Sequence, residues 1–426
     1  MTIYYRPLER LRDIYNEYPR QFWTLILGTF IDQVGGALMF PFFTLYVTRR
    51  FGASMTEVGV IFGLYSIASV VGSMLGGALT DRLGRKGMLI FGLIASGLTS
   101  VMMGLVGSIE LFFASALVVG LFASAGGPAQ QAMVADLLPE EQRAQGFGIR
   151  RVVANLAVTI GPAIGGLLAA RSYMILFIAD AVASLITAGI VALAIRETKP
   201  AQREGEPEQT VAQTFGGYWT VLRDGTFVLF LGACTLMIFV YVQMTSTLAV
   251  YLRDSHAVSE QGFGYILSLN AAMVVLFQFS ITRWIGRYRP LAMMAVGTLL
   301  YAVGFGMYGL VSAYSYFLVA MVIITIGEMM ASPTSQALVA QFAPEDMRGR
   351  YMAVFGFSWV IPMAVGPLLA GMIMDNGDPR WVWLAAGLVG LVAAGAFALL
   401  QRRVGRSAEQ SAVELENAGA ASVQRE

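Results

Sequence analysis

GALTDRLGRKGML, residues 77–89, joins two runs of mostly apolar residues, each of about the length that crosses a bilayer. A hairpin this short between two such runs is a turn at a membrane surface. Gly76 and Gly77 leave room at the end of the first run for a neighbouring helix to pack closely. Asp81 stands at the C-terminal end of that helix, where the backbone dipole disfavours an anion, so it needs a cationic partner. Arg82, Arg85 and Lys86 are within reach along the chain, and Gly84 supplies the positive-φ turn between them.

The whole chain has 426 residues, of which 57% are apolar and 13% charged, with a mean hydropathy of +0.66. Soluble domains carry about 25% charged residues, so this composition describes an all-α polytopic membrane protein. Twelve runs are long enough to span. They cover residues 22–46, 57–79, 88–107, 110–134, 147–169 and 173–195, then 226–250, 262–284, 291–311, 315–341, 351–374 and 380–400. Residues 196–225 form the one long polar linker, with Pro200 and Pro207, and divide the chain into two six-helix halves, 22–195 and 226–400. Residues 1–21 are charged and amphipathic, which fits a helix on the membrane surface or a cytoplasmic N-terminus. Residues 401–426 are rich in Ala, Glu and Ser and read as a disordered tail.

Charge sets the orientation. With both termini inside, 23 of the 28 Lys and Arg fall on the cytoplasmic side, and Arg49, Arg50, Arg171, Arg253 and Arg380 lie outside. This bias predicts cytoplasmic N- and C-termini. A single cysteine, Cys234, rules out an intrachain disulfide, and a single histidine, His256, rules out a Cys/His metal cluster. There is no phosphate-binding glycine loop and no clustered catalytic set, so neither ATP-driven transport by this chain alone nor enzymatic activity is expected, and no cofactor or metal is called for.

The two halves repeat each other. Pro128–Arg143 and Pro333–Arg348 agree at 8 of 16 positions without a gap, and the same offset of 205 residues carries GPAIGG, Gly161–Gly166, onto GPLLAG, Gly366–Gly371. Together with the opening stretch, this identifies a resemblance to the major facilitator superfamily, whose loop between helices 2 and 3 reads G-x-L-x-D-R-x-G-R-K/R-x-x-L. The resemblance covers residues 20–400 and implies twelve helices in two six-helix pseudo-repeats, with the substrate site between the halves near the midplane. It also implies that Gly77, Asp81, Arg82, Gly84, Arg85 and Lys86 form a cytoplasmic latch. The second repeat keeps Arg283, Gly286, Arg287 and Arg289 there but no Asp, so latching is expected to be asymmetric.

Carboxylates inside apolar spans cost about 2.5–3.5 kcal/mol on insertion scales, so each needs a reason. Asp32 lies in the first span, in a D-x-x-G-x-x-x-x-x-P pattern that resembles the first helix of drug:proton antiporters. Glu328, in G-E-x-x-x-S-P of the tenth span, is similar to the acidic residue of multidrug exporters. Either could carry a proton, attract a cationic substrate, or make a structural hydrogen bond. Asp180, in the sixth span, reads better as a snorkelled or locally paired carboxylate. Asp136 ends the fourth span and is open to two readings: a gate or coupling group paired with Arg143 or Arg150, or a structural ion pair.

In the fifth span, Gly161, Pro162, Gly165 and Gly166 resemble the antiporter signature G-P-x-x-G-G and permit close packing and a kink. Ala157 departs mildly from the Gly of that signature. The Arg that many drug:proton antiporters carry in the fourth helix is absent, Ala116 standing at its place, so Arg150 or Arg151 must serve or coupling must run without it. Tyr65, Tyr241, Tyr265, Phe355, Trp359, Met237, Met244 and Met273 are candidates for an adaptable cavity wall. The combined expectation is a monomeric secondary transporter of the bacterial inner membrane. It would exchange protons for hydrophobic or cationic small molecules and contact membrane lipids but no nucleic acid. The alternatives are uptake or lipid and lysolipid transport on the same fold, or a binding or sensor protein built on it.

Overall fold

In the computed structural model, residues 15–199, 219–344 and 347–423 are described. Residues 1–14 of the segment 1–21, read as a surface helix or a cytoplasmic N-terminus, and most of the 196–225 linker therefore lie outside the described residues. Among these there are helices and turns and no strand.

The first span is broken: α1 (Arg20–Met39) gives way to a 3-10 turn at Phe40–Phe42 and then α2 (Phe43–Phe51). Pro41 lacks the N–H that a continuous helix would use there. Then come α3 (Met55–Leu83), α4 (Arg85–Leu105), α5 (Ile109–Ala123), a 3-10 turn at Ser124–Gly126, α6 (Gly127–Leu137), α7 (Glu140–Ala169) and α8 (Tyr173–Ala194). After the linker the order is α9 (Gly225–Ser246), α10 (Leu248–His256), α11 (Glu260–Ile285), α12 (Pro290–Tyr308), α13 (Tyr314–Phe342), α14 (Arg348–Asn376) and α15 (Arg380–Val423). Twelve stretches among the described residues are long and apolar enough to cross a membrane. The last of them ends at Val404, yet α15 continues as helix to Val423 through the stretch that composition marks as disordered. Its Ala, Glu and Gln are strong helix formers.

Outward-facing surface on these helices is apolar where a soluble protein would be polar. Leu193 is 92% exposed and Leu105 69%, surface that lipid covers in a multi-pass membrane protein.

Contacts divide the chain into two units that do not follow the repeats. Of the described residues, the first holds 15–199 together with 245–275 and 367–375, and the second holds 219–244, 276–344, 347–366 and 376–423. In the first unit α1 packs on α7 and α8, α3 on α5, and α4 on α5 and α8. Close approach is made by glycines. A Cβ on Gly72 or Gly76 would collide with the backbone of Leu121 or Ala125, and one on Gly120 with that of Tyr65. Gly77, by contrast, meets only Pro128 at an ordinary 3.8 Å, so Gly76 rather than Gly77 is the close-packing residue at that end of α3. Gly161 and Gly165 press on the backbone of Ala37 and Leu38 in α1, and Gly166 would meet Gly264 Cα at 3.0 Å. GPAIGG is thus a packing surface with two faces. In the second unit α12 packs on α13 and α15, around the fully buried Phe305, Tyr308, Phe317 and Trp383.

Candidate functional site

Within the first unit, α1 and α8 bring two membrane carboxylates to one interface. The Ser184 hydroxyl donates to Asp32 Oδ1 at 2.7 Å. A Cβ on Gly35, one turn after Asp32, would lie 3.0 Å from Asp180 Oδ1. Asp180 and Ser184 are four residues apart and therefore share a face of α8. Asp180 is half-buried within reach of the Ser100 hydroxyl. The structure adds that it stands beside Asp32. Nothing in the sequence spacing of Asp32 and Ser184, 152 residues apart, announces that bond.

Within the second unit, Tyr241 of α9 donates its hydroxyl to Glu328 Oε1 of α13 at 3.0 Å. Trp359 meets the Tyr241 ring edge-on with centroids 5.9 Å apart, and Tyr301 lies 5.9 Å away on another side. Of the aromatic and Met candidates, Tyr241 thus touches the carboxylate and Trp359 packs on Tyr241, while Tyr301, 3% exposed, joins the cluster with no mark in the sequence. A carboxylate among electron-rich rings suits a cation, because the ring faces and the anion attract the same charge. A Tyr hydroxyl also holds the carboxylate in one orientation.

The loop that opens α4 is built as a clasp. Its N-cap, Gly84, has φ +103° and ψ 158° and offers no side chain to the first N–H groups of α4. Glu197, just after α8, supplies the missing acceptor. Its carboxylate takes hydrogen bonds from the backbone N–H of Arg85 at 2.9 Å and of Lys86 at 3.2 Å, and also from Thr198 and Lys199 at 3.0 Å each. Burial pushes its carboxyl up, but these N–H groups outweigh it and hold the carboxyl below its usual range. Lys86 Nζ donates to Ala192 O at 2.7 Å and Lys199 Nζ to Arg82 O at 3.1 Å, closing the clasp from both sides. The side chain of Asp81 lies outside what is described.

Asp136 pairs with neither Arg143 nor Arg150. Arg85 Nε donates to its Oδ2 at 3.2 Å, with both side chains less than one-fifth exposed, and the Thr198 hydroxyl donates to the same oxygen at 3.3 Å. Arg143 instead donates to Ala135 O and Leu138 O at the end of α6, where a cation meets the negative end of the helix dipole. Arg150 lies over the Phe147 ring at 6.0 Å. Among the described residues no group of three His, Cys, Asp or Glu could hold a metal ion.

A profile of the Major Facilitator Superfamily matches residues 25–259 and 244–425. The Na(+), Li(+), K(+)/H(+) antiporter of Planococcus maritimus is 26% identical over 411 residues, covering 90% of this chain and 94% of the relative. The MFS-type transporter YttB of Bacillus subtilis (strain 168) is 29% identical, with 92% and 98% covered. The multidrug resistance protein MdtH of Shigella flexneri is 23% identical, with 86% and 90% covered. Among solved structures, a POT family transporter in complex with 5-aminolevulinic acid superposes with a TM-score of 0.74 at 17% identity, over 91% of this chain and 97% of that one. The nucleoside transporter NupG gives 0.71 at 15% identity, over 90% and 99%.

Proposed function

The chain belongs to the major facilitator superfamily of membrane transporters, and within it we propose that it is a proton-coupled antiporter that exports hydrophobic or cationic small molecules by alternating access. The observation that carries this reading is Glu328, a carboxylate in the middle of a spanning helix, hydrogen-bonded by Tyr241, whose ring packs against Tyr301 and Trp359. Such a group attracts a lipophilic cation when charged and releases it when protonated. Asp32, held by Ser184, is the second carboxylate able to take up a proton within a span. A proton arriving from outside weakens the cation site and favours outward release, and deprotonation towards the cytoplasm restores it. Exchange of one proton for a neutral molecule moves one charge, about 2.3 kcal/mol per 100 mV, whereas exchange for a monovalent cation is electroneutral. The Lys and Arg bias supports placing the protein in the cytoplasmic membrane with both termini inside.

A second reading draws on the name of the Planococcus relative and on the carboxylate and hydroxyl oxygens of Asp32, Asp180 and Ser184, hard donors that suit Na⁺ or Li⁺. One assay separates the two. Proteoliposomes with an imposed pH gradient are loaded with either ethidium or sodium. Ethidium movement that follows the gradient and falls at least tenfold in Glu328→Gln supports the first reading. Sodium movement that falls in Asp32→Asn but not in Glu328→Gln supports the second, and movement of neither removes both.

A further inference from the structure

The first turn of α3 takes its hydrogen-bond acceptors from two sources that are far apart in the chain. A helix start leaves four backbone N–H groups without intrahelical partners. At α3 these are the N–H groups of Ser54, Met55, Thr56 and Glu57. Two are satisfied locally by a capping box: Glu57 N–H donates to Ser54 Oγ at 3.2 Å, and Ser54 N–H to Glu57 Oε2 at 2.8 Å. The other two are satisfied by Asp375, 320 and 319 residues away at the end of α14. Met55 N–H donates to its Oδ1 at 3.0 Å and Thr56 N–H to its Oδ2 at 2.7 Å. One turn earlier on α14, a Cβ on Gly371 would collide with Met55 O, and a Cβ on Gly59 would collide with the backbone of Leu368. The glycines let the two backbones touch, and that contact brings the carboxylate to the helix start.

The repeat contains the same docking surface without the carboxylate. At the offset of 205 residues, Ser54 becomes Ser259, Met55 becomes Glu260, Gly371 corresponds to Gly166, and Asp375 to Ala170. Ser259 Oγ accepts from Gly262 N–H at 3.1 Å at the start of α11, as Ser54 does at α3. Gly166 faces Gly264 and Glu260 O as Gly371 faces Met55 O. Ala170 has no acceptor to give. In its place Glu260 receives Arg49 Nη1 at 2.6 Å and the Tyr173 hydroxyl at 3.2 Å. One docking is fastened by a carboxylate on backbone N–H groups and the other by a side-chain ion pair. Both lie at the end of the helices remote from the Gly84 loop.

We propose that Asp375, carried on the Gly371 contact, is a releasable latch that holds the eleventh span on the start of the second, and that opening this end of the transporter requires it to let go. The device suits a switch. Release leaves α3 with its capping box intact, so the helix stays folded while two N–H groups pass to water. The latch rests on the alternating-access reading but not on the identity of the substrate or on proton coupling.

The test reads the gate without transport. Cys234, fully buried, is replaced by Ala in the full chain, and Met55→Cys, whose side chain is 4% exposed in the parent, reports access at the latch. The protein is held in lipid nanodiscs, where a hydrophilic maleimide reaches both faces. With Asp375→Ala the labelling rate is expected to rise about fivefold, the population shift that loss of a capping carboxylate brings. Asp375→Asn, which retains one acceptor oxygen, should fall between. Asp378→Ala is the control: Asp378 lies in the same turn but accepts from Arg380 N–H at 2.9 Å, and its loss should leave the rate unchanged. An unchanged rate in Asp375→Ala, or equal acceleration in Asp378→Ala, overturns the latch. If Asp375→Ala does not fold, Asp375→Asn alone decides by the same comparison. Proton release on cation binding that persists in a variant without latch behaviour would remove the latch and leave the proposed function standing.

Discussion

Replacing Gly84 with Ala strikes two features of the clasp at once. Its backbone, at φ +103° and ψ 158°, lies in a region that residues with a Cβ enter at a cost of about 1–3 kcal/mol. The added methyl would also run into the Glu197 carboxylate and push it off the N–H groups of Arg85 and Lys86, losing a charge–dipole contact of about 0.3–1 kcal/mol. The sum is about 1.3–4 kcal/mol, which should lower the apparent melting temperature in detergent by about 5 °C, read by heating followed by size-exclusion chromatography. In a Glu197→Ala background the same substitution should cost less, because the carboxylate it displaces has gone, and the difference isolates that contact. A Gly84→Ala protein that melts within about 1 °C of the parent would mean that neither the backbone conformation nor the Glu197 contact stabilises the clasp. The pH dependence follows from the sign of the shift. The folded carboxyl of Glu197 lies below its usual 4.5, so its stabilisation is complete above that value and is lost as the pH falls through the lower folded value. The difference in melting temperature between the parent and Glu197→Ala should therefore shrink as the buffer is taken below that pH.

Three other outcomes are expected. Asp136→Asn weakens the 3.2 Å pair with Arg85 and should destabilise the protein by about 1–3 kcal/mol; exchanging the two residues should recover part of that loss, and no recovery in the melting curve would mean the pair itself contributes nothing. Tyr241→Phe keeps the ring but removes the donor to Glu328, and should change the apparent affinity for a lipophilic cation about tenfold, the effect of about 1.4 kcal/mol, with no change in protein level; an unaltered binding isotherm contradicts it. Gly76→Val forces a side chain into the Ala125 backbone and should cost at least about 1–3 kcal/mol, seen as loss of the monodisperse elution peak, whereas Gly77→Val should be tolerated better because only Pro128 lies near.

What the sequence reveals follows the range of the forces involved. Twelve apolar runs are local properties, and all twelve have counterparts among the described helices. Breaks inside them are partly legible. Pro41 marks the 3-10 turn after α1, but the break between α9 and α10 carries no proline and reads in the sequence as one span. The repeat at a constant offset is visible because it is a comparison of the chain with itself. Partners across the fold are not. Asp136 has Arg143 nearby in sequence, yet helix packing gives it Arg85, 51 residues away. Ser184 for Asp32, Tyr301 near Glu328, Glu197 beneath Gly84 and Asp375 at the start of α3 are all brought in by helix packing, and polar residues on apolar helices carry no mark of which helix they will meet. One trace is available: Gly371 stands at the repeat position of Gly166, so a second docking surface can be inferred, though not the carboxylate beside it.

The same capping chemistry is used twice with different consequences. Glu197 closes the start of α4 from the adjoining end of its own repeat, and in the proposed cycle that contact persists. Asp375 closes the start of α3 from the other repeat, and in the proposed cycle that contact is the one to break.

In the proposed function a proton and a cation compete for carboxylates inside the membrane spans. The most direct test is to add tetraphenylphosphonium to the purified protein in weakly buffered detergent solution and record proton release. Release from the parent is expected, and it should be lost in Glu328→Gln or in Asp32→Asn. Phosphonium binding with no proton release, or release undiminished in both variants, would contradict it.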